Sequence, residues 1–310
     1  MIIASEQGIL RLSIAVTLLL AGGGILFGLL SGSFSIVFDG VYSLADASMS
    51  ALALIVATLI SKHTATGESS RRLAERFNMG FWHLEPMVLA LNGTLLCGVT
   101  LYALINALGS LLAGGKSLDF GFAIIYALVA TIACFSLAIL EFRANRAIRS
   151  DFVALDAKAW VMSGSISLAL LIAFLLGELS AGTAYAWLAP YVDPAVLAII
   201  GVVILPLPLL TIRQALADIL LVTPPALKLH VDEVAEAVVA REGFLGYEAY
   251  VAKVGRALQV ELYFIVPADW PARTLDDWDR LRNAIGEAIG DAGPHRWLTI
   301  AFTTDPQWAR

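Results

Sequence analysis

The chain has 310 residues, of which 59% are hydrophobic and only 15% are charged, and its mean hydropathy is +0.80. Soluble globular proteins carry about 25% charged residues, so this composition excludes an ordinary soluble protein and predicts one embedded in a lipid bilayer. The formal net charge is −6, and from residue 224 onwards thirteen acidic residues stand against nine basic ones. Such an acidic segment excludes nucleic acid as a partner, because nucleic-acid binding needs basic patches.

Six apolar stretches are long enough to cross a bilayer as helices, which takes roughly 20 residues. The first is too long for the apolar core of a signal peptide, so we interpret it as a membrane helix. The predicted spans cover residues 9–30, 35–61, 80–108, 120–140, 152–176 and 192–212. The fold prediction is therefore an all-α bundle of six transmembrane helices in residues 1–222, followed by a separate domain in residues 223–310.

Basic residues concentrate in alternate connections between the spans. Those after spans two and four hold Lys62, Arg71, Arg72, Arg76, Arg143, Arg146 and Arg149. The connections on the opposite side hold Lys116 alone. Cytoplasmic loops carry an excess of Lys and Arg, so both termini are predicted to be cytoplasmic, in an inner or plasma membrane.

The segment after Pro225 predicts the order α-β-β-α-β. Its helices are expected at residues 232–241 and 275–292, and its strands at residues 246–254, 257–266 and 297–303. Gly255-Arg256 suits a tight hairpin turn, and Thr274 with Asp277 resembles a capping box. This pattern predicts a small cytoplasmic α+β domain with its helices on one face of the sheet. About 80 residues is small for a lone domain, so we expect it to pair with a second copy.

Span two carries two carboxylates, Asp39 and Asp46, at a depth where each costs at least about 2.5–3.5 kcal/mol. Residues 39, 42, 43 and 46 share one helix face, so Asp39, Tyr42, Ser43 and Asp46 form a stripe of oxygen atoms. The stripe predicts a cation path through the bundle. The alternative is that Asp46 is a structural carboxylate, hydrogen-bonded within the bundle.

Span five begins with Asp156, which shares a helix face with Ala159 and Ser163. Asp156 either joins the cation path or pairs with Arg149 or Lys158 near the membrane surface.

Span three carries four further polar residues. His83 and Glu85 are predicted at the membrane interface. Asn92 and Asn106 are predicted to form hydrogen bonds between helices.

Several kinds of site are excluded by the residues present. Cys97 and Cys134 both lie in apolar spans without the spacing of a disulfide or thiolate site. The chain has no G-x-S-x-G, no H-E-x-x-H and no Gly-rich phosphate loop joined to a strand, so it is predicted not to be an enzyme and to hold no resident cofactor. His230 and His295 are interpreted as solvated surface.

The span order and the acidic motifs resemble the cation diffusion facilitator family, whose members exchange divalent cations for protons as homodimers. In span two, Asp39-Gly-Val-Tyr42-Ser-Leu-Ala-Asp46 is similar to the family pattern D-x-x-[H or D]-x-x-x-D. The entry to span three, Met79-Gly80-Phe-Trp-His83-Leu-Glu85, looks like the family's Y-G-x-x-R-x-E. The likeness covers nearly the whole chain. Some members bind metal before span three, but Phe77 and Phe81 stand there, so no metal is predicted at that loop.

Span five departs from the family pattern, which is again D-x-x-[H or D]-x-x-x-D. The matching segment is Asp156-Ala-Lys-Ala159-Trp-Val-Met-Ser163. Of the four family ligand positions only Asp46 keeps a carboxylate, since Tyr42 and Ser163 offer other oxygens and Ala159 offers none.

The resemblance, with this departure, implies a metal site that has shifted to Asp46 and Asp156, with Tyr42 and Ser163 nearby. Asp156 is expected about 4.5 Å, one helical turn, from the level of Asp46. Asp39 lies about 10.5 Å along its own helix from Asp46 and is expected to line the exit of the ion path.

An all-oxygen set suits harder ions such as Mn²⁺ or Mg²⁺ better than Zn²⁺ or Cu⁺. The identity of the transported ion stays open among Mn²⁺, Mg²⁺, Fe²⁺ and Zn²⁺. The resemblance thus implies a homodimer that exports divalent cations in exchange for protons, with lipid, protons and divalent cations as its partners. The alternative is a degenerate member that does not transport and serves as a structural or regulatory membrane subunit. Ala159 and Ser163 favour that alternative, while the retained carboxylates oppose it.

Overall fold

The computed structural model describes residues 6–64, 81–148, 151–180, 183–293 and 295–309. The chain divides into two compact units. The first comprises Met1–Ala51 with Leu91–Leu210, and the second comprises Leu52–Ala90 with Thr211–Arg310.

Among the described residues, seven α-helices lie between Glu6 and Ile219. They are α1 (Glu6–Ser31), α2 (Phe34–Thr64), α3 (Leu84–Leu112), α4 (Phe120–Ile148), α5 (Asp151–Ser180), α6 (Ala189–Ile204) and α7 (Pro206–Ile219). A short 3₁₀ helix, Ala186–Leu188, leads into α6. The last predicted span is therefore two helices, which meet at Pro206 because proline cannot donate the hydrogen bond that continues a helix.

Five stretches of the described residues are long and apolar enough to cross a membrane. They are Arg11–Ser31, Leu84–Leu112, Phe120–Arg146, Asp156–Ser180 and Ala186–Ile219. They correspond to predicted spans one and three to six. Predicted span two coincides with α2, whose 31 residues measure about 46 Å. Its passage through the membrane stays a prediction, and the predicted start of span three at Gly80 lies outside the described residues.

Helices α1 and α2 approach each other through glycines. A Cβ atom on Gly40 would lie 2.7 Å from the Ala21 carbonyl oxygen and 2.8 Å from the Ile25 nitrogen. A Cβ atom on Gly28 would lie 2.6 Å from the Val37 nitrogen. Backbone therefore contacts backbone at this crossing, as small residues allow in membrane helix pairs.

Alanine at position 40 should separate these helices and destabilise the protein by about 1–3 kcal/mol, the usual cost of overpacking. Gly98 on α3 is the matched control, because a Cβ atom there meets nothing within 4 Å. Unfolding of Gly40→Ala and Gly98→Ala in detergent would be followed by circular dichroism. Equal stability of Gly40→Ala and the native protein would contradict close backbone contact at this crossing.

The start of α2 is fixed by a buried carboxylate from α6. Asp193 is 2% exposed. It accepts hydrogen bonds from the Ser33 hydroxyl at 2.6 Å, the Phe34 nitrogen at 2.9 Å and the Ser35 nitrogen at 3.3 Å. The first backbone N–H groups of a helix have no partner within the helix, so Asp193 satisfies two of them and complements the helix dipole.

Helices α4 and α5 pack closely against each other and against α2. Their shared core consists of Ile36, Ala123, Tyr126, Ala127, Ala130, Leu170, Leu171 and Phe174. Gly164 on α5 allows the approach, because a Cβ atom there would lie 3.2 Å from Cβ of Cys134 on α4. This packing brings polar side chains of α4 close to polar side chains of α5.

The C-terminal part has the predicted α-β-β-α-β order. Its elements are α8 (Pro225–Glu242), β1 (Gly246–Val254), β2 (Ala257–Ile265), α9 (Leu275–Ile289) and β3 (Arg296–Thr303). Strand β2 is central, antiparallel to β1 and parallel to β3. Val260, Leu262 and Phe264 on β2 form one core with residues from both helices, so the helices cover the same face of the sheet.

The helix ends in this part differ from the prediction for local reasons. Helix α8 begins at Pro225 rather than residue 232, because proline suits the first turn of a helix. Helix α9 ends at Ile289 rather than residue 292, because Gly290 takes a φ of +80°. The Thr274–Asp277 capping box is confirmed, and its hydrogen bonds hold the pKa of Asp277 below its usual value.

The β1–β2 turn binds the start of α3 within the second unit. Arg256 donates to Glu85 from Nε at 2.8 Å, from Nη2 at 3.2 Å and from its backbone nitrogen at 3.2 Å. These hydrogen bonds raise the pKa of Arg256 above its usual value. Gly255 has a φ of +59°, and a side chain there would meet Glu85 Oε2 at 2.9 Å. Glu85 is thus an ion-pair partner of the hairpin turn, which the sequence did not indicate.

Candidate functional site

A cavity of about 200 Å³ lies among α1, α2, α4 and α5 in the first unit. All five predicted site residues line it: Asp39, Tyr42, Asp46, Asp156 and Ser163. Its other lining residues are Thr17, Leu20, Ser43, Tyr126, Ala130, Cys134, Ala159, Trp160 and Ser167. Side chains more than 100 positions apart in sequence are thereby brought together.

The α2 wall of the cavity is the predicted oxygen-bearing stripe. Asp39, Tyr42, Ser43 and Asp46 all line the cavity, as the helical period requires. Asp46 is exposed, whereas Asp39 is half-buried. The cavity therefore runs along α2 and includes Asp39, which the sequence placed apart at an exit.

Two hydrogen-bonding partners position the α2 carboxylates. The Tyr126 hydroxyl on α4 lies 3.1 Å from Asp39 Oδ2 and donates to it. The Asn92 side chain on α3 lies within hydrogen-bonding range of Asp46. Asn92 thus makes the predicted interaction between helices. Asn106 does not, because its amide donates to the Tyr102 carbonyl on its own helix at 2.8 Å.

The α5 wall contributes Asp156, Ala159 and Ser163. Lys158 is exposed and makes no ion pair with Asp156 among the described residues. Arg149, the other predicted partner, lies outside the described residues. Asp156 instead lies beside Glu141 on α4.

Sequence reasoning missed both Glu141 and Tyr126. Glu141 follows Leu140, where the predicted span ended, and it was not considered as a site residue. Helix α4 continues to Ile148 and buries Glu141 completely. The sequence does contain one signal for a buried Glu141. The apolar residues Phe142 and Ala144 follow it and indicate that the helix continues past residue 140.

The cavity can supply oxygen ligands but no complete set of strong ones. In the described ranges, no three His, Cys, Asp or Glu side chains lie close enough to hold one metal ion. A hard cation here would therefore take carboxylate oxygens together with hydroxyl groups and water, as Mg²⁺ commonly does.

Comparison with known families identifies the membrane-spanning part of the chain. The model of the cation efflux transmembrane domain matches residues 10–220, which include every residue that lines the cavity. The chain belongs to the cation diffusion facilitator family. A comparison with curated proteins gives no match.

This membership defines the general role of the helical unit. Family members are transporters rather than enzymes, so this cation diffusion facilitator is an integral membrane protein that transports cations. The matched segment ends before α8, so the family match describes the helices and not the C-terminal sheet.

The remaining predictions about metal concern two other places. Phe77, predicted to mark a metal-free loop, lies outside the described residues. Phe81 is 7% exposed and packs with Val56. His230 Nε2 lies 3.2 Å from the carbonyl oxygen of Ile289, so one of the two C-terminal histidines interacts with the end of α9.

Proposed function

We propose that this transporter exports divalent metal ions from the cytoplasm in exchange for protons, as a homodimer, and has no enzymatic activity. The observation that carries the proposal is the single cavity in which carboxylates of α2 and α5 meet. Asp46 and Asp156 come from different helices, and both line it. A site built between two helices can change its ion affinity when the helices move relative to each other.

Competition between protons and metal ions supplies the coupling in this proposal. Two nearby carboxylates repel each other when both are ionised, and either a proton or a cation relieves that repulsion. Asp46 and Asp156 would therefore release protons when the metal ion binds. The proton gradient would drive the reverse exchange on the other side of the membrane.

The oxygen chemistry of the cavity supports a hard divalent cation. Tyr42, Ser43 and Ser163 add hydroxyl groups to the carboxylates, and the cavity has no histidine. Carboxylate, hydroxyl and water ligands suit Mn²⁺ and Mg²⁺, while imidazole and thiolate suit Zn²⁺ and Cu⁺. Mn²⁺ is our first expected substrate, followed by Mg²⁺ and Fe²⁺.

Orientation and assembly follow from the distribution of charge and apolar surface. The basic connections support six spans with both termini in the cytoplasm. The C-terminal sheet and helices expose large apolar side chains, including Leu245, Leu275 and Trp308. Burial of these side chains against a second copy would stabilise a small domain.

A second candidate function is that of a non-transporting family member. Ala159 lines the cavity where the family places a ligand, and it offers no donor atom. In the part of the chain that the structure describes, no group of three acidic, Cys or His side chains exists to replace that ligand. Such a protein would keep the fold and act as a membrane subunit.

Transport by reconstituted protein distinguishes the two functions. The purified chain would be placed in liposomes with a pH-sensitive dye inside, and Mn²⁺, Mg²⁺, Fe²⁺, Co²⁺ and Zn²⁺ would be added outside in turn. We expect proton flux with Mn²⁺ and little with Zn²⁺. Silence with every ion, from folded and dimeric protein, would instead favour the non-transporting subunit.

A further inference from the structure

The strongest unexplained feature of the bundle is Glu141 on α4. This side chain is 0% exposed, and it lies within the membrane-spanning stretch Phe120–Arg146. Neither of its carboxylate oxygens has a hydrogen-bond partner among the described residues. Buried polar groups are almost always hydrogen-bonded, and buried charges are paired or coordinate metals. A fully buried carboxylate without a donor therefore points to a ligand that binds there.

Asp156 shares this environment. Its carboxyl group lies within hydrogen-bonding range of Glu141, and its Oδ2 atom is also buried, with no donor in the part of the chain that the structure describes. Ionised carboxylates only accept hydrogen bonds, so the two groups cannot satisfy each other. Their facing oxygens form an acceptor-only pair at the α4–α5 contact.

The described part of the protein supplies no charge to neutralise the pair. Neither Glu141 nor Asp156 takes part in an ion pair among the described residues. Arg143, Arg146 and Lys158 are close in sequence, but all three side chains are exposed. Among the described residues, either a proton or a bound cation is left to neutralise the pair.

Asp156 connects the pair to the cavity. Asp156 lines the cavity and is half-buried, whereas Glu141 is fully buried and does not line it. An ion bound at Asp156 would have to lose part of its water shell to contact Glu141. Divalent ions such as Mn²⁺ and Mg²⁺ can be held by one or two carboxylates while several waters remain bound, so a pair is sufficient.

We propose that Glu141 and Asp156 together bind a hard divalent cation, at a second station that shares Asp156 with the cavity site of Asp46. The proposal rests on the proposed transport of divalent cations only for the role of this ion, not for its binding. Glu141 would supply the carboxylate that Ala159 lacks, from α4 instead of α5. The ion path would then pass from the α2 carboxylates to a pair between α4 and α5.

Direct binding of Mn²⁺ tests the proposal. Free Mn²⁺ gives a sharp paramagnetic resonance signal that broadens when the ion binds, so binding to detergent-purified dimer can be titrated without transport. Glu141→Gln and Asp156→Asn should each weaken this binding at least 10-fold. The double variant should bind Mn²⁺ no more weakly than either single variant, because both carboxylates hold the same ion. Glu178→Gln on the exposed side of α5 is the control and should bind as the native protein does.

Glu141→Asp guards against a variant that fails to fold. It keeps the charge but shortens the side chain, so it should fold and bind Mn²⁺ with altered affinity. Unchanged Mn²⁺ affinity in folded Glu141→Gln would overturn the proposal. The buried pair would then be explained by a proton shared between Glu141 and Asp156. Absence of Mn²⁺ binding by the native protein would overturn it as well.

These measurements distinguish failure of the Glu141–Asp156 site from failure of the proposed transport function. Native protein that transports Mn²⁺, with unchanged binding in Glu141→Gln, refutes the pair alone. Native protein that binds Mn²⁺ through Glu141 but moves no ion refutes transport and supports the pair.

Discussion

Replacing Asp46 by asparagine is expected to abolish cation transport while leaving the protein folded. Asparagine has nearly the same size and keeps a hydrogen-bonding side chain towards Asn92, but it removes the negative charge from the cavity wall. Loss of an outer-shell partner of a metal ligand already costs about 10–100-fold in affinity or activity. Loss of a ligand carboxylate should cost at least as much. The measurement is the initial rate of Mn²⁺-dependent proton flux in liposomes.

Two controls make this experiment specific. Glu178→Gln removes a carboxylate from the exposed face of α5, away from the cavity, and should transport at the native rate. Size-exclusion chromatography and circular dichroism would show that Asp46→Asn is folded and assembled as the native protein is. Native transport by folded Asp46→Asn would remove Asp46 from the ion path.

Truncation of Asp193 to alanine should produce the largest loss of stability among single substitutions in the helical unit. Three donors, the Ser33 hydroxyl and the Phe34 and Ser35 nitrogens, would lose their charged acceptor in a buried place. A hydrogen bond to a charged group contributes about 1.5–3 kcal/mol, and an unsatisfied buried donor adds its own cost. We expect a loss of about 3–5 kcal/mol, measured by denaturant unfolding in detergent.

An exposed capping residue provides the comparison for Asp193. Asp119 accepts from the Gly121 nitrogen at 3.0 Å at the start of α4, but it is exposed. Asp119→Ala should cost only about 1 kcal/mol, the usual value for a helix cap. Asp193→Asn should fall between the two, because the amide oxygen still accepts. Equal effects of Asp193→Ala and Asp119→Ala would mean that burial adds nothing to the cap.

Sequence reasoning succeeded where a local pattern decides the structure. The stripe from Asp39 to Asp46 follows from helical period alone, and the structure places it on one cavity wall. The β1–β2 hairpin and the Thr274 cap depend on a few adjacent residues, and both were predicted at the correct positions. Long apolar runs likewise gave the five spans that the described residues confirm.

The failures concern contacts between distant parts of the chain. Asp193 lies about 160 positions from its partners Ser33 and Phe34, and no periodic pattern connects them. Tyr126 and Glu141 acquire their roles only when α4 packs beside α2 and α5. Asn106 illustrates the converse error, since a polar residue in a span can be satisfied by its own helix and need not bind another.

The buried cap on α2 also determines how that helix can move. Three hydrogen bonds hold its first turn to Asp193, so sliding along its axis would break all of them, whereas tilting about that turn would keep them. Asp46 lies about 18 Å along the helix from Phe34. A tilt of only about 10° would therefore swing its carboxylate sideways by about 3 Å, more than the 2.3–2.6 Å length of a bond between an oxygen ligand and Ca²⁺. If α2 tilts about residues 33–35, a small rotation at that end would therefore be enough to assemble or dismantle an ion site at the other.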